Sequence, residues 1–419
     1  MKRVVGLFAG LVVAVVALTD LAAAAPRSTL TNFSDMPLRI CLTAVGCSKS
    51  TMLLKPGQNS RAVLGTKKLR ALYVPKGWRA VVTTKAKRVT HRGPVTVRLP
   101  SCGCRRTVSM TRVQSAGRLG PSRSGLRWLS GVWSGGRFTP AAIAAYGKWR
   151  GRHIDIVTAY SRRDSYRAIA SEAWSINVWK GVPGRLSYGL AILPNSGEGS
   201  LASISRGDQD WVWRAVAKNL KSAGRGNAVV RIAWEANLRD WRWGATTANA
   251  PAFRAAFRRV AKTIKKTAPG LVIDFGIGCG PGLPGSKDRT APLTMLYPGD
   301  DVVDVIHCDV YDWWATRVRG SDPTPLTKPR YGTGLADIAS FARRHGKLMG
   351  VGEWGLATPA NSGGGGDNPA FVQAMHRFLV ANADVVGYEC YFDEPDRYLR
   401  SSLNTGQNPK AAATYRRLW

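Results

Sequence analysis

The chain has 419 residues, of which 44% are hydrophobic and 21% are charged. This apolar content is enough for a real core, which excludes an intrinsically disordered protein. The formal net charge is +35, and 20 Lys or Arg but only one acid, Asp35, lie between residues 27 and 125. Such a basic segment predicts attraction to anionic surfaces or polymers, although a charged face can also serve solubility alone.

The first 25 residues have the pattern of a secretory signal peptide. Lys2 and Arg3 precede an apolar run over residues 4–18, and small residues follow up to Ala25. The run is shorter than the roughly 20 residues that a helix needs to cross a bilayer. A cleaved signal is therefore favoured over a retained membrane anchor. We expect a secreted protein without a membrane span, either extracellular or associated with the cell wall.

Short β-rich runs between turn residues predict a small basic β-sandwich or barrel over residues 27–114, for example at 37–42, 71–74 and 95–99. Export permits disulfides, and the candidates in this segment are Cys41, Cys47, Cys102 and Cys104. A zinc site is the alternative, but the spacings lack the usual CxxC pairs. The other three cysteines are odd in number, so at least one should be a free, buried thiol.

A polar linker is predicted at residues 115–125, and strand and helix signals alternate over residues 126–419. The eight strand candidates are residues 126–133, 153–160, 186–193, 228–235, 271–277, 302–311, 347–353 and 385–392. Helical patterns such as 209–221 and 252–268 separate them. Eight such units predict a (β/α)₈ TIM barrel. An open doubly wound sheet is the alternative, but no Gly-rich phosphate motif follows the first strand.

Two acids stand where predicted strands end, which is where active sites form in such a barrel. Glu235 closes the fourth strand candidate and Glu353 closes the seventh. Two carboxylates that face one cleft are what glycosidic hydrolysis requires. Each acid could instead be structural, for instance Glu235 held by Arg231. Glu389, within the eighth strand, is a competing candidate for the nucleophile.

Aromatic and polar residues near the same strand ends are candidates for contacts with sugar rings, whose C–H faces stack on aromatic planes. The predicted substrate-binding residues are Trp133, Trp234, Trp241, Trp243, His307, Asp309, Trp313 and Trp354. His307 could equally be a satisfied core histidine. No metal-ligand spacing accompanies these residues, and we expect no metal and no cofactor. A glycine run at residues 363–366 is either a mobile rim of the cleft or a tolerated flexible loop.

Three stretches resemble glycoside hydrolase family 26, the β-mannanase-type group of a retaining clan. They are Arg-Ile-Ala-Trp-Glu-Ala-Asn at 231–237 with Trp-Arg-Trp-Gly at 241–244, the segment 297–312, and Gly-Glu-Trp-Gly at 352–355. The resemblance covers residues 126–419. It implies a (β/α)₈ fold in which Glu235, on strand four, is the acid/base and Glu353, on strand seven, is the nucleophile.

The resemblance also implies supporting roles for several neighbours. Tyr311 would hydrogen-bond the nucleophile, and Asn237 would line the sugar subsites together with Trp241 or Trp243. Arg231 belongs to the same supporting set. Members of the family that cut mannan typically place His immediately before the acid, whereas this sequence has Trp234 there. The glycan is therefore left open.

The sequence thus predicts a secreted retaining glycoside hydrolase that cleaves a polysaccharide, β-mannan-like or a cell-wall glycan, by double displacement and in endo fashion. Its basic domain would bind an anionic or wall surface. The alternative is a non-catalytic carbohydrate- or wall-binding protein on a degenerate glycosidase barrel. Specific nucleic-acid binding is not predicted, because no helix-turn-helix, finger or RNA-binding signature accompanies the charge. We expect a monomer.

Overall fold

The computed structural model describes residues 29–32, 38–41, 51–55, 58–60, 64, 69–74, 78–84, 88–92, 95–99, 105–112, 119–135, 139–360 and 363–419. The chain divides into two compact units, residues 1–110 and 111–419. The predicted signal peptide and Cys47, Cys102 and Cys104 lie outside the described residues. Within the described ranges, no helix is both long enough and apolar enough to cross a membrane.

The first unit consists of two small four-stranded sheets. Its strands are β1 (Thr29–Asn32), β2 (Leu38–Cys41), β3 (Thr51–Leu54), β4 (Ala71–Val74), β5 (Trp78–Thr83), β6 (Arg88–Arg92), β7 (Val95–Arg98) and β8 (Arg105–Arg112). They pair in the orders β1-β8-β5-β6 and β3-β2-β4-β7. The second sheet and the β5–β6 pair are antiparallel, whereas β1 and β8 are parallel. Side chains of both sheets, such as Leu30 and Leu72, share one core. The unit is therefore a sandwich, one of the two predicted forms.

The surface of this sandwich carries part of the basic charge. The alternation of buried and exposed side chains along the strands places several arginines outside the core: Arg39, Arg70, Arg98 and Arg105. Cys41 is buried and disulfide-bonded, in keeping with its place among the disulfide candidates.

The second unit is a closed barrel of eight parallel strands, as predicted. They are β9 (Leu129–Trp133), β10 (Ile156–Tyr160), β11 (Arg185–Leu190), β12 (Val229–Ile232), β13 (Val272–Gly278), β14 (Val305–Tyr311), β15 (Leu348–Gly355) and β16 (Val386–Phe392). The barrel closes between β16 and β9. Every predicted strand is present, so Glu235 follows the fourth barrel strand and Glu353 lies in the seventh.

Helices cover the barrel between its strands. They are α1 (Pro140–Arg150), α2 (Tyr166–Ser171), α3 (Trp174–Asn177), α4 (Leu201–Arg206), α5 (Asp210–Ser222), α6 (Ala250–Thr267), α7 (Ala291–Leu296), α8 (Thr324–Thr327), α9 (Leu335–His345), α10 (Pro369–Ala381) and α11 (Pro409–Leu418). In α6, buried residues such as Phe253, Phe257 and Ile264 recur at helical spacing and pack against the strands, while Lys and Arg occupy the other face.

A hydrophobic plug closes the N-terminal end of the barrel. Leu119 is 4% exposed and packs with the first inward residues of the strands, among them Ile156, Val229 and Val305. Gly387 leaves room for it, because a Cβ there would lie 2.8 Å from Leu119 Cδ1. The serines that follow Leu119 are tied down, since Asp155 accepts hydrogen bonds from the hydroxyl and the backbone of Ser124. Residues 119–125 of the predicted linker are therefore part of the barrel.

A disulfide joins Cys279, just after β13, to Cys308 in β14. The third cysteine of this unit, Cys390, is free and buried in the barrel interior. The prediction of at least one free, buried thiol is confirmed, whereas the sequence did not single out the Cys279–Cys308 pair.

Candidate active site

Glu235 lies in a tight turn that ends the fourth barrel strand. Extended backbone stops at Ile232, and Ala233 and Glu235 both adopt left-handed conformations, with φ of 48° and 53°. Such angles are uncommon outside glycine and mark a locally strained segment. The turn is held by backbone hydrogen bonds from Ala233 to Leu190 and from Ala236 to Gly276. These hydrogen bonds fix the backbone that carries the Glu235 side chain, at the C-terminal end of the barrel.

The Glu235 carboxylate has an aromatic setting and one hydrogen-bond donor among the described residues. Trp241 donates its indole N–H to Glu235 Oε2 at 2.8 Å. Burial is the main cause that raises the pKa of Glu235 well above its usual value, and the negative charges of Glu353 and Asp309 add to it. This is the environment that keeps a carboxyl protonated near neutral pH, as a general acid requires.

Glu353 in β15 has the opposite environment, with three donors on its two oxygens. Tyr160 and Arg231 donate to Oε1 at 2.6 and 2.8 Å, and Tyr311 donates to Oε2 at 2.8 Å. Burial and the charge of Asp309 raise the pKa of Glu353, whereas Arg231 and Tyr160 oppose that rise. Donors on both oxygens orient the carboxylate and favour its ionised form.

Arg231 links the nucleophile candidate to a second buried acid. Its Nη2 donates to Glu353 and, at 2.6 Å, to Asp309, and all three side chains are almost entirely buried. Gly352 makes this approach possible, because a Cβ there would lie 2.6 Å from Arg231 Nε and 2.8 Å from Asp309 Oδ1. Arg231 thus supports Glu353 and does not hold Glu235, the structural alternative considered from the sequence.

A polar column continues below Asp309 into the barrel. His307 Nδ1 lies 2.6 Å from Asp274, which also accepts a hydrogen bond from Tyr388 at 2.5 Å. Burial lowers the pKa of His307, but Asp274 and Asp309 together raise it to about 9. The ring fills the space over Gly276, where a Cβ would lie 1.9 Å from it. His307 is completely buried. Of the two roles predicted for it, it therefore has that of a core histidine and cannot contact substrate.

The two glutamates differ in how well they can hold a proton. Burial and the negative charge of Glu353 raise the pKa of Glu235. Among the described residues Glu235 has one hydrogen-bond donor, whereas Glu353 has three. The geometry therefore suits Glu235 to be the acid and Glu353 to be the carboxylate.

Tyr160, the last residue of β10, was not predicted. Besides its hydrogen bond to Glu353, its hydroxyl accepts one from Arg231 at 3.3 Å, and its ring packs on Trp234 with centroids 5.3 Å apart. Trp234 in turn packs on Trp241, the partner of Glu235, at 5.1 Å. An unbroken chain of contacts thus connects the two carboxylates. Its signal in the sequence is its place, because Tyr160 is a polar aromatic residue at the end of a predicted strand. The prediction of catalytic groups took only acids from such strand ends.

Four of the six tryptophans predicted to bind sugar divide into two groups. Trp133 and Trp313 are half-buried, pack beside Tyr160 and Tyr311 respectively, and remain candidates for substrate contact. Trp234 and Trp243 are 3% and 1% exposed. Trp243 donates its indole N–H to the Trp234 carbonyl at 2.8 Å and lies behind Trp241. These two support the wall of the site from within, so their assignment to sugar binding was wrong.

Trp354 and Glu389 lie on the outer side of the barrel wall. Trp354 is completely buried, and its indole N–H donates to Glu389 Oε2 at 2.6 Å. Trp419 and Trp128 donate to the other oxygen of the same carboxylate at 2.9 and 3.4 Å. Glu389 is therefore a structural acid that binds three indoles, not a competing nucleophile. The sugar-binding assignment of Trp354 was wrong because its side chain points away from Glu353, its neighbour.

The side chains of Asn237 and Asp309 bond to other groups of the protein and are not accessible to substrate. Asn237 is 1% exposed, donates to the carbonyls of Gly278 and Pro281, and accepts from Gly278 N at 2.7 Å. It joins the loop after β12 to the end of β13 and does not line a subsite. Asp309 is 2% exposed and pairs with Arg231, so its assignment to substrate contact was also wrong.

The described part of the glycine run after β15 is packed. Gly365 N donates to the Asp312 carbonyl and Gly366 N donates to the Ala357 carbonyl, at 2.9 and 2.8 Å. A Cβ on Gly365 would lie 1.9 Å from the Asp312 carboxylate. Glycine is needed here for close approach, so the run is neither a free rim nor a loosely tolerated loop.

Among the described residues, no group of three or more His, Cys, Asp or Glu is arranged to hold a metal ion.

Several solved structures are similar to this chain in fold. No family model matches the chain, and no curated protein matches it. A modular endo-β-1,4-mannanase from Cellulomonas fimi, described with the glycoside hydrolase family 26 mannanases, is similar at 17% identity and a TM-score of 0.50, over 68% of this chain and 70% of that one. An engineered protein matches at 17% identity and a TM-score of 0.50, over 69% and 70%. The catalytic domain of a family 26 endo-β-1,4-mannanase from Bacillus sp. JAMB-750 matches at 16% identity and 0.49, over 70% and 86%.

The closed barrel, with acids on its fourth and seventh strands, has the architecture of a glycoside hydrolase fold. More narrowly, 68% of the chain has a fold similar to that of the Cellulomonas fimi family 26 mannanase, as the sequence resemblance implied. At these identities the likeness concerns the fold alone.

Proposed function

We propose that this protein is a secreted retaining glycoside hydrolase of family 26 that cleaves a polysaccharide. The observation that carries the proposal is the different environment of two carboxyls at one end of the barrel. Glu235 has one indole donor in an aromatic pocket, and Glu353 has three donors on both of its oxygens. One acid and one carboxylate at a common site are the two groups that a retaining mechanism uses.

In the first step, Glu353 attacks the anomeric carbon while Glu235 transfers its proton to the departing glycosidic oxygen. Oε1 of Glu353 already accepts from Tyr160 and Arg231, whereas Tyr311 is the one donor to Oε2 among the residues that the structure describes. A carboxylate oxygen has about two lone-pair directions, so Oε2 is the oxygen with one free for bond formation. The C–O bond to the leaving group breaks, and a glycosyl ester on Glu353 forms.

In the second step, the ionised Glu235 takes a proton from water, and that water attacks the anomeric carbon. The ester bond breaks, Glu353 returns as a carboxylate, and its donors stabilise the charge that re-forms. Two inversions give net retention. For this chemistry we expect the two carboxyl groups to lie about 5–5.5 Å apart.

Substitution of each acid by its amide tests the assignment. Glu235→Gln and Glu353→Gln should fold normally, as judged by unchanged thermal unfolding, and lose nearly all hydrolysis of a polysaccharide panel. A 2-fluoro glycoside with a good leaving group should add its glycosyl mass to the wild type but not to Glu353→Gln. NMR of the first product should show the β-anomer if the linkage is β. A variant that keeps most of its activity, or an inverted product, would remove the residue or the mechanism.

Export and surface attachment complete the proposal. The charged and apolar start of the chain supports secretion, as does the Cys279–Cys308 disulfide, because such bonds persist in oxidising compartments. The exposed arginines of the sandwich support binding to an anionic surface. The full chain should be retained on an anionic resin and released by salt, and its affinity for that resin should be unchanged in Glu353→Gln. Retention that does not depend on salt would contradict this role.

A further inference from the structure

Trp241, which bonds the acid/base candidate, does not offer an open aromatic face. Trp243 is stacked on one side of it, with an interplanar angle of 3° and centroids 5.1 Å apart. The guanidinium carbon of Arg163 lies 5.0 Å from the centroid of the Trp241 ring. Because Trp243 covers one face, Arg163 covers the other. The order is therefore Trp243, Trp241, Arg163, and a sugar ring at this wall meets a cation instead of an aromatic plane.

The guanidinium of Arg163 forms no ion pair with a carboxylate of the described residues, although its charge helps to lower the pKa of the neighbouring, exposed Asp164. Its neighbour Asp164 accepts from Arg162 at 2.8 Å, and no ion pair of Arg163 is present in the described ranges. The ring beneath it holds the group by a cation–π contact, which leaves its N–H donors available at the edge. A guanidinium in this position can bind a carboxylate or another oxyanion through two parallel hydrogen bonds.

The same pairing recurs at the neighbouring end of the barrel face. Arg330 lies 5.2 Å from the centroid of Tyr331, and Tyr331 lies near Trp314 with centroids 6.3 Å apart. Tyr331 and Trp314 are 59% and 49% exposed, and both belong to the connection between β14 and α9. A second aromatic platform with a cation on it therefore stands on the face that carries the two glutamates.

From these contacts we propose that the substrate is an anionic glycan, and that Arg163 binds an acidic substituent of the sugar next to the scissile bond. The inference rests on the proposed hydrolase function and narrows its substrate class. The shared chemistry is an oxyanion on a sugar ring, which a uronate carboxylate, a sulfate ester or a phosphate ester can supply. Arg330 and Tyr331 bind a more distant unit of the same chain.

A matched pair of polymers isolates the charge of the substrate. β-1,4-polymannuronate and the β-1,4-mannan obtained from it by carboxyl reduction have the same linkage and ring configuration and differ only at C6. The wild type should hydrolyse the acidic member with a kcat/KM about tenfold or more above that for the neutral one, since a hydrogen bond to a charged group has about this effect. Sulfated and phosphorylated β-1,4-mannan, prepared from the same mannan, identify which oxyanion is preferred.

Arg163→Gln should lower kcat/KM about tenfold more for the preferred acidic polymer than for neutral mannan, while Arg163→Lys should recover part of the loss. Lys221→Gln is the matched control, because it removes one exposed positive charge at the end of α5, just before β12 begins. Equal or faster hydrolysis of neutral mannan by the wild type would overturn the proposal. An equal loss on both polymers in Arg163→Gln would overturn it as well.

Binding measured with inactive Glu353→Gln separates this inference from the hydrolase assignment. Calorimetry should show tighter binding of the acidic polymer than of mannan, weakened about tenfold by the added Arg163→Gln. If the preference is present and Arg163→Gln weakens it, but the wild type cleaves nothing, the hydrolase function fails and the acidic specificity survives. If mannan is cleaved without any preference for acidic polymers, the specificity fails alone. Binding of neither polymer overturns the acidic specificity.

Discussion

Tyr160→Phe isolates one of the three hydrogen bonds that set the ionisation of Glu353. The variant removes a hydroxyl that donates to Glu353 Oε1 at 2.6 Å but keeps the ring that packs on Trp234. A hydrogen bond to a charged group contributes about 1.5–3 kcal/mol. One pKa unit corresponds to 1.36 kcal/mol, so the loss should raise the pKa of Glu353 by about 1–2 units.

The sign of the effect on activity follows from which form reacts. Glu353 must be ionised to attack, and the Tyr160 hydrogen bond lowers its pKa. Without that bond, the acidic limb of the kcat/KM profile should move to higher pH by about 1–2 units. The alkaline limb, which reports loss of the Glu235 proton, should move far less. Because the two acids interact, each limb belongs to the pair, and the shift is read as a difference between variants.

The assay is a pH profile of kcat/KM on the best substrate of the panel, for wild type, Tyr160→Phe and Tyr311→Phe. Tyr311→Phe removes the donor to the other oxygen of Glu353, at 2.8 Å, and should also move the acidic limb upward. Thermal unfolding checks that each variant folds. An acidic limb that stays in place in a folded Tyr160→Phe would refute the claim that this hydroxyl sets the charge of Glu353.

Three further outcomes are expected. Trp241→Phe removes the one indole donor of Glu235, so the pKa of that acid should rise and the alkaline limb should move upward by about one unit; an unchanged limb would contradict this. Gly276→Ala places a Cβ 1.9 Å from the His307 ring and should lower the free energy of unfolding in urea by about 1–3 kcal/mol, whereas wild-type stability would disprove the packing. Leu119→Ala should cost about 2–5 kcal/mol by the same measurement, and a loss under 0.5 kcal/mol would show that residue 119 is a free linker after all.

The barrel and the positions of its two glutamates were predictable because both depend on patterns close in sequence. Apolar runs that end in Glu235 and Glu353 identify strands and their C-terminal ends, and the parallel order of the strands then brings those ends to one face. The strand count, the order and the core helices agree with that prediction. The resemblance to family 26 added the same two residues independently.

The errors at Trp354 and Glu389 have one physical origin, which is the side of the strand on which a residue points. Successive side chains alternate between the two faces of a strand, and proximity to a strand end does not reveal which face is used. Trp354 and Glu389 point outward and bond each other. The pairing of β15 with β16 also shifts between Val351 and Trp354, so simple alternation would not have oriented Glu353 with certainty.

Interior polar residues were missed for a different reason. Asp274 and Tyr388 are far apart in the chain, and only the closed barrel brings them together around His307. Neither has a local pattern that distinguishes it from a surface polar residue. Long-range pairing of this kind becomes visible only when the strand register is known.

The left-handed backbone at Glu235 lowers the stability of the protein at a residue that the proposed mechanism requires. A non-glycine residue at φ of 53° bears a conformational cost of about 1 kcal/mol or more, and glycine would relieve it. Glu235→Gly would therefore remove the carboxyl and relieve that strain. A residue kept in such a conformation does not serve the stability of the turn, which fits the role proposed for its carboxyl.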